Sequence, residues 1–220
     1  SKYDLAMDED LSIINTNTRN EKIKNFFIQN QKKFIILIIL LVISLIVFFS
    51  FKEYSKREKV NISNLYYSTI IEFNENSSKQ SSDILESIVN KKDPTYSPLS
   101  LYFIIDNNLI KDKEKVNKLF DEIINKTPLK NEIKNLIIYK KALYNSDSIE
   151  ENQLLKILNP IINSNSVWKS HSLYLLAEYF YSRNEKKKSK EFFEKLINLE
   201  NGNLDLKIEA QKRLSRDLSE

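Results

Sequence analysis

Phe34 to Phe51 reads FIILIILLVISLIVFFSF, eighteen residues without a charge, and no other feature limits the fold so sharply. At the helical rise this run spans roughly 27 Å, close to the thickness of a bilayer's hydrocarbon core. Its only polar members are Ser44 and Ser50, whose hydroxyls can bond back to the helix's own carbonyls. A cleaved signal peptide would have a shorter apolar region and end in small residues, whereas this run ends Phe48-Phe49-Ser50-Phe51-Lys52. A buried core helix would carry a polar face. The expectation is a retained transmembrane anchor over 34–51.

The flanks bear on orientation. Arg19, Lys22, Lys24, Lys32 and Lys33 precede the run, and Lys52, Lys56, Arg57 and Lys59 follow it. Five against four is a shallow positive-inside gradient that leans towards a cytoplasmic N-terminus. Residues 1–33 then form a cytoplasmic tail, acidic at Asp4, Asp8, Glu9 and Asp10, with an amphipathic juxtamembrane stretch carrying Ile23, Phe26 and Phe27. The net charge of +4 resides around the membrane segment. Residues 1–59 hold ten Lys/Arg and seven Asp/Glu, leaving 24 against 23 for the rest. Without a basic stripe the remainder is not expected to bind nucleic acid.

After residue 60 the apolar residues recur every three or four positions, the period of helices with one buried face. One glycine in 220 residues argues the same way, because hairpins and Rossmann crossovers need left-handed turns that glycine supplies. Polar breaks fall at 74–78, 91–94, 127–128, 145–148, 163–166 and 201–203, and Pro160 should end or bend the helix carrying Leu154, Leu155 and Leu158. The fold class is all-α, with seven or eight helices after the anchor, the first continuing from it through Tyr54 and Tyr66.

Helix pairs at a steady spacing suggest repeats. Leu173, Leu176, Ala177 and Phe180, then Ser189, Phe193 and Leu196, follow the tetratricopeptide (TPR) order of large, small and aromatic slots. Ala177 and Ser189 would let two helices approach closely. A second unit places Ala142 in the first small slot, with Leu154, Leu158 and Ile161 in its second helix. A third contains Val116, Phe120 and Ile123 and ends at Pro128. Ala142 and Ala177 are 35 residues apart, near the 34-residue period of such repeats. The domain plan is linking helices over 52–95 and a TPR-like helical-hairpin solenoid over 96–220.

The acidic Asp8-Glu9-Asp10-Leu11, the basic stretch Arg19 to Lys33, Leu158-Asn159-Pro160-Ile161 and Val167-Trp168-Lys169 opening the last repeat together carry a resemblance. The chain resembles the YfgM-like TPR proteins, ancillary subunits of the SecYEG translocon, and within them the α-proteobacterial branch. It departs from them in having Asn, Lys and Ile where relatives have Ala, Gly and Arg. The resemblance implies a bacterial inner-membrane protein with a periplasmic domain, acting in secretion or chaperone networks. It implies translocon subunits, periplasmic chaperones or emerging polypeptides as partners, and supplies no catalytic residues.

Chemistry is sparse in the sequence. His171 is the sole histidine and cysteine is absent, so the usual zinc clusters cannot form. Gly202 alone cannot build a phosphate loop. Asp121-Glu122 and Glu150-Glu151 project in different directions on a helix. No catalytic, metal or cofactor residue is assigned, and an enzyme is not expected. Phe103, Phe120, Phe180 and Phe193 occupy packing slots, while Tyr66, Tyr67, Tyr96, Tyr102, Tyr139, Tyr144, Tyr174, Tyr179 and Tyr181 suit surfaces, because a phenol tolerates a wet end. Solenoids bind on the face made by the first helix of each pair, which nominates Tyr102, Tyr139, Tyr174 and Tyr179 as partner contacts. The leading expectation is a membrane-tethered interaction protein. An envelope-assembly or division scaffold, and a signalling regulator with a cytoplasmic repeat domain, are the competing readings.

Overall fold

The computed structural model describes residues 17–219; Asp4, Asp8, Glu9 and Asp10 of the tail lie outside them. Every regular element among the described residues is helical. The chain divides into two compact units, Ser1–Lys59 and Val60–Glu220.

In the first unit a helix over 17–29 (α1) ends at Asn30, whose amide donates from backbone and side chain to the Phe26 carbonyl at 3.1 and 2.9 Å. Helix α2 then runs Gln31–Ile71. It is long and apolar enough to cross a membrane. The apolar side chains of the run after half-buried Phe34 lie exposed, as do Ile23, Phe26 and Phe27 on α1. Phe27 and Phe34 bring their rings to 4.8 Å.

Ile62, Tyr66 and Thr69, near the end of α2, are buried within the second unit. A short 3-10 turn (Glu75–Ser77) and eight α-helices follow among the described residues: α3 (Ser78–Asn90), α4 (Tyr96–Asp106), α5 (Lys113–Lys126), α6 (Asn131–Asn145), α7 (Glu151–Ile162), α8 (Lys169–Ser182), α9 (Lys186–Ile197) and α10 (Leu204–Asp217). The expected count of seven or eight included the continuation of the anchor helix; the structure has that continuation and eight more. The break at 107–112 adds a helix to those read from the sequence, and the break at 183–185 separates the two helices expected in the last repeat.

Both closures use asparagine where most chains use glycine. Asn108 (φ 50°) and Asn184 (φ 60°) adopt the left-handed conformation just past α4 and α8. The Leu109 amide donates to Ile104 and that of Asn108 to Ile105; Glu185 donates to Phe180 and Asn184 to Tyr181. These paired bonds are the Schellman closure, and asparagine tolerates it better than other side chains do. The one glycine, Gly202, does not have a positive φ. A Cβ there would meet the movable end of Lys207 (Cε, 2.7 Å) and stand 3.3 Å from Leu199 Cβ and the Leu199 carbonyl oxygen, a close fit that asks only small adjustments.

Helix starts follow the sequence. Asn74, Asp112 and Asn203 accept from backbone amides of the first turn that follows them. Asp93 does the same for Thr95 and Tyr96 at 2.8 and 2.7 Å. Each removes orphan donors that an uncapped terminus would leave. Pro160 lies inside α7, which stops two residues later at Ile162.

Each helix from α3 to α10 packs on its chain neighbour, and α3 with α5, α6 with α8 and α8 with α10 also touch. Three apolar clusters succeed one another along the chain. The first joins α2 to α6, the second α6 to α8, the third α8 to α10. Because α3 packs on α4 and α5, packing continues across the 95/96 boundary drawn from the sequence. All seven residues assigned from sequence to the slots of the last repeat are buried, with Leu176, Ala177, Ser189, Phe193 and Leu196 wholly inaccessible. Ala142, Leu154, Leu158, Ile161, Phe120 and Ile123 are equally buried. Phe103 is only half-buried and meets Phe73 edge-to-face at 5.2 Å. Tyr66, placed at a surface from sequence, is 7% exposed, with its ring 5.5 Å from that of Tyr96.

Candidate functional site

The four nominated tyrosines sit on α4, α6 and α8, alternate helices of the chain, but their surroundings differ. Tyr179 is 4% exposed. Its hydroxyl donates to the Ile149 carbonyl at 2.9 Å, and the Arg183 guanidinium lies 3.6 Å above its ring. With its polar end satisfied inside the protein, it ties α8 to the α6–α7 connection, which corrects its assignment to a contact surface. Tyr174 is half-buried, its ring edge-on to Phe193 at 5.5 Å. Burial, with Glu178 and Glu209 nearby, raises its phenol above the ordinary value.

Tyr139 faces a closed seam. Its ring stacks on Trp168 at 5.9 Å with planes 19° apart, and His171 meets it edge-on at 5.8 Å. Trp168 and His171 lie 5.0 Å apart. The connection carrying Trp168 is fixed from across the seam, since Ser166 Oγ and the Val167 amide donate to Glu132 Oε2 at 2.9 and 3.2 Å. Burial lowers the His171 pKa, and its Nδ1 has no partner within the protein. Burial thus favours the neutral imidazole, packed against the Trp168 and Tyr139 rings.

Tyr102 opens onto a cavity. A space of about 210 Å³ lies between α4, α5 and α6, walled by Tyr102, Ile105, Leu143 and Tyr144, with Asp106 and Lys140 also lining it. Phe120, fully buried, lines it from α5 and holds the Tyr144 ring at 5.9 Å. The Lys140 ammonium sits 4.5 Å from the centroid of the Tyr102 ring. Burial pushes the Tyr102 phenol up to about 12, so it stays a neutral hydroxyl at any physiological pH. Leu143 is 49% exposed, an apolar side chain left at the surface.

The structure thus brings together Tyr102 with Lys140 and Tyr139 with Trp168, and leaves Tyr174 and Tyr179 in separate packing roles. The sequence reading omitted Asp106, Lys140 and Leu143. A signal for them existed in the apolar patterning. Helices α4 and α6 carry apolar residues on more than the buried stripe, and Leu143 directly follows the buried Ala142. A larger depression of about 830 Å³ lies among Lys186, Lys187, Lys190, Glu191, Glu194 and Arg216, where charges of both signs are mixed. Among the described residues no group of three or more His, Cys, Asp or Glu is placed to hold a metal ion. No family model, curated protein or solved structure matches the chain.

Proposed function

We propose that the chain is a membrane-anchored interaction protein: the apolar part of α2 is the anchor, and α4 to α10 are TPR-like hairpins that hold protein partners. The observation that carries this reading is the burial of Ala142, Ala177 and Ser189 at the small slots, together with contacts that skip one helix, α6 on α8 and α8 on α10. Helices in such an array touch near neighbours alone, and successive hairpins continue one binding face. The N-terminal side of the anchor lies in the cytoplasm and the helical unit in the periplasm, where it acts as an ancillary or chaperone-type scaffold at the secretion translocon. Tethering confines the unit to a thin layer and raises its effective concentration for membrane-embedded partners, so weak contacts suffice. The activity needs no catalytic group, metal or cofactor.

Affinity purification of the full chain from membranes in mild detergent tests the partner assignment, with translocon subunits, periplasmic chaperones or nascent polypeptides expected. Recovery of division or wall-assembly proteins instead would transfer the scaffold to that process. Protease added to spheroplasts tests topology and should digest the helical unit while sparing the anchor. Full protection would place the unit in the cytoplasm and favour a signalling regulator.

A further inference from the structure

Tyr139, Tyr174 and Tyr179 each pack on a neighbouring ring or guanidinium, whereas Tyr102 also borders a cavity. The space is small for a free ligand: pockets for cofactor-sized molecules run from roughly 300 Å³ upward, and this one holds about 210 Å³. It suits one large side chain. Its walls are apolar or aromatic at Ile105, Phe120, Leu143 and the rings of Tyr102 and Tyr144. Two charged groups lining it, Asp106 and Lys140, form no ion pair with the described residues, although Lys141, one residue on, pairs with Asp121 at 2.7 Å. Lys140 spends its charge only on the face of Tyr102. An apolar hollow bordered by an uncommitted cation and an uncommitted carboxylate matches a polypeptide that inserts one apolar side chain between flanking charges. The apolar part supplies the affinity and the charges set direction and partner choice.

We infer that the cavity between α4, α5 and α6 receives a single large apolar side chain of a partner polypeptide, whose neighbouring carboxylate pairs with Lys140 and whose neighbouring cation faces Asp106. This rests on the interaction reading above and narrows it to one pocket and one class of segment. The full chain in detergent, fluorescently labelled, is applied to an array of twelve-residue peptides in which a central position and its flanks vary independently. Bound peptides should be enriched at least tenfold for Phe, Tyr, Trp, Leu or Met at the centre with Asp or Glu adjacent. Leu143→Ser should abolish the apolar preference. Lys140→Glu should switch the flanking preference from acidic to basic, an inversion that a merely destabilised protein would not produce.

Retention of the acidic preference by Lys140→Glu, or an absence of central apolar selection, overturns the inference. So does competition by millimolar free phenylalanine with no peptide selected, which would make the hollow a small-molecule site. The two readings separate on the purification: if the Lys140→Glu chain recovers the same partners as wild type while the array shows no inversion, the scaffold reading stands and the pocket assignment falls.

Discussion

Between α6 and α8 the seam is filled by Trp168 and His171, whereas between α4 and α6 it is left open beside Lys140. Both seams begin from a half-buried tyrosine on the earlier helix, Tyr139 in one and Tyr102 in the other. The closed seam brings in aromatic rings from the next hairpin and anchors their loop through Glu132. At the open one an ammonium group lies over the tyrosine ring, and Leu143 stays exposed. One seam therefore contributes stability, and the other retains unsatisfied surface.

The largest expected effect sharpens the packed side of this contrast. Phe193 is fully buried among α8, α9 and α10, so Phe193→Ala should destabilise by about 3–5 kcal/mol, the range for large aromatic truncations. Denaturant unfolding of the full chain in detergent, followed by helical circular dichroism, gives the value. A near-neutral result would remove Phe193 from the core and undo the slot assignment of the last repeat.

Next comes a direct comparison of the seams. Trp168 is half-buried against two rings, so Trp168→Ala should cost about 2 kcal/mol, less than a full core truncation. Leu143→Ser, at the open seam, should stay within about 0.5 kcal/mol, as exposed substitutions do. Equal losses from the two would show that the open seam is structural too and would dissolve the distinction.

A smaller effect isolates why the slots are small. The Ser189 hydroxyl is buried and has no hydrogen-bond partner within the protein. Removing it in Ser189→Ala should leave stability unchanged or raise it by about 1 kcal/mol, because an unsatisfied polar group is lost. Ser189→Leu should instead cost about 1–3 kcal/mol by overpacking α8 against α9. If alanine destabilised as much as leucine, the hydroxyl rather than close approach would explain the serine.

How far these features could be read from sequence depends on their range. The long apolar helix, its continuation to Tyr66 and the buried stripes of α5, α7 and α9 are legible because periodicity is a local signal. The break after α4 is not legible as a polar break because Asn107-Asn108 is too short to stand out in an asparagine-rich chain, whereas the break after α8 is implied by the helix pair of the last repeat. Among the tyrosines the residue type was uninformative, since a phenol suits both a surface and an internal hydrogen bond. Tyr179 reaches Ile149, thirty positions away, and no local pattern encodes that contact. Tyr102 differs from Tyr139 only in what the next hairpin brings to it, which is tertiary information.

The smallest effect concerns pH and tests the closed seam from within. His171 packs against Trp168 and Tyr139, and burial holds its pKa below the ordinary 6.5. The unfolded chain, titrating near 6.5, therefore binds a proton at His171 more readily than the folded one does. Stability from this residue is fully present above about pH 6.5 and falls as pH drops below it towards the lowered folded value. Urea midpoints measured at pH 7.5 and pH 5.5 should differ more for the wild type than for His171→Gln, which keeps much of the volume but cannot titrate in this range. Carboxylates titrating over the same interval contribute to both proteins and cancel in the difference. If the two pH dependences coincide, the histidine is solvated in both states and Trp168 closes the seam without it. A larger dependence in His171→Gln would reverse the sign and mean that the seam favours the charged imidazolium.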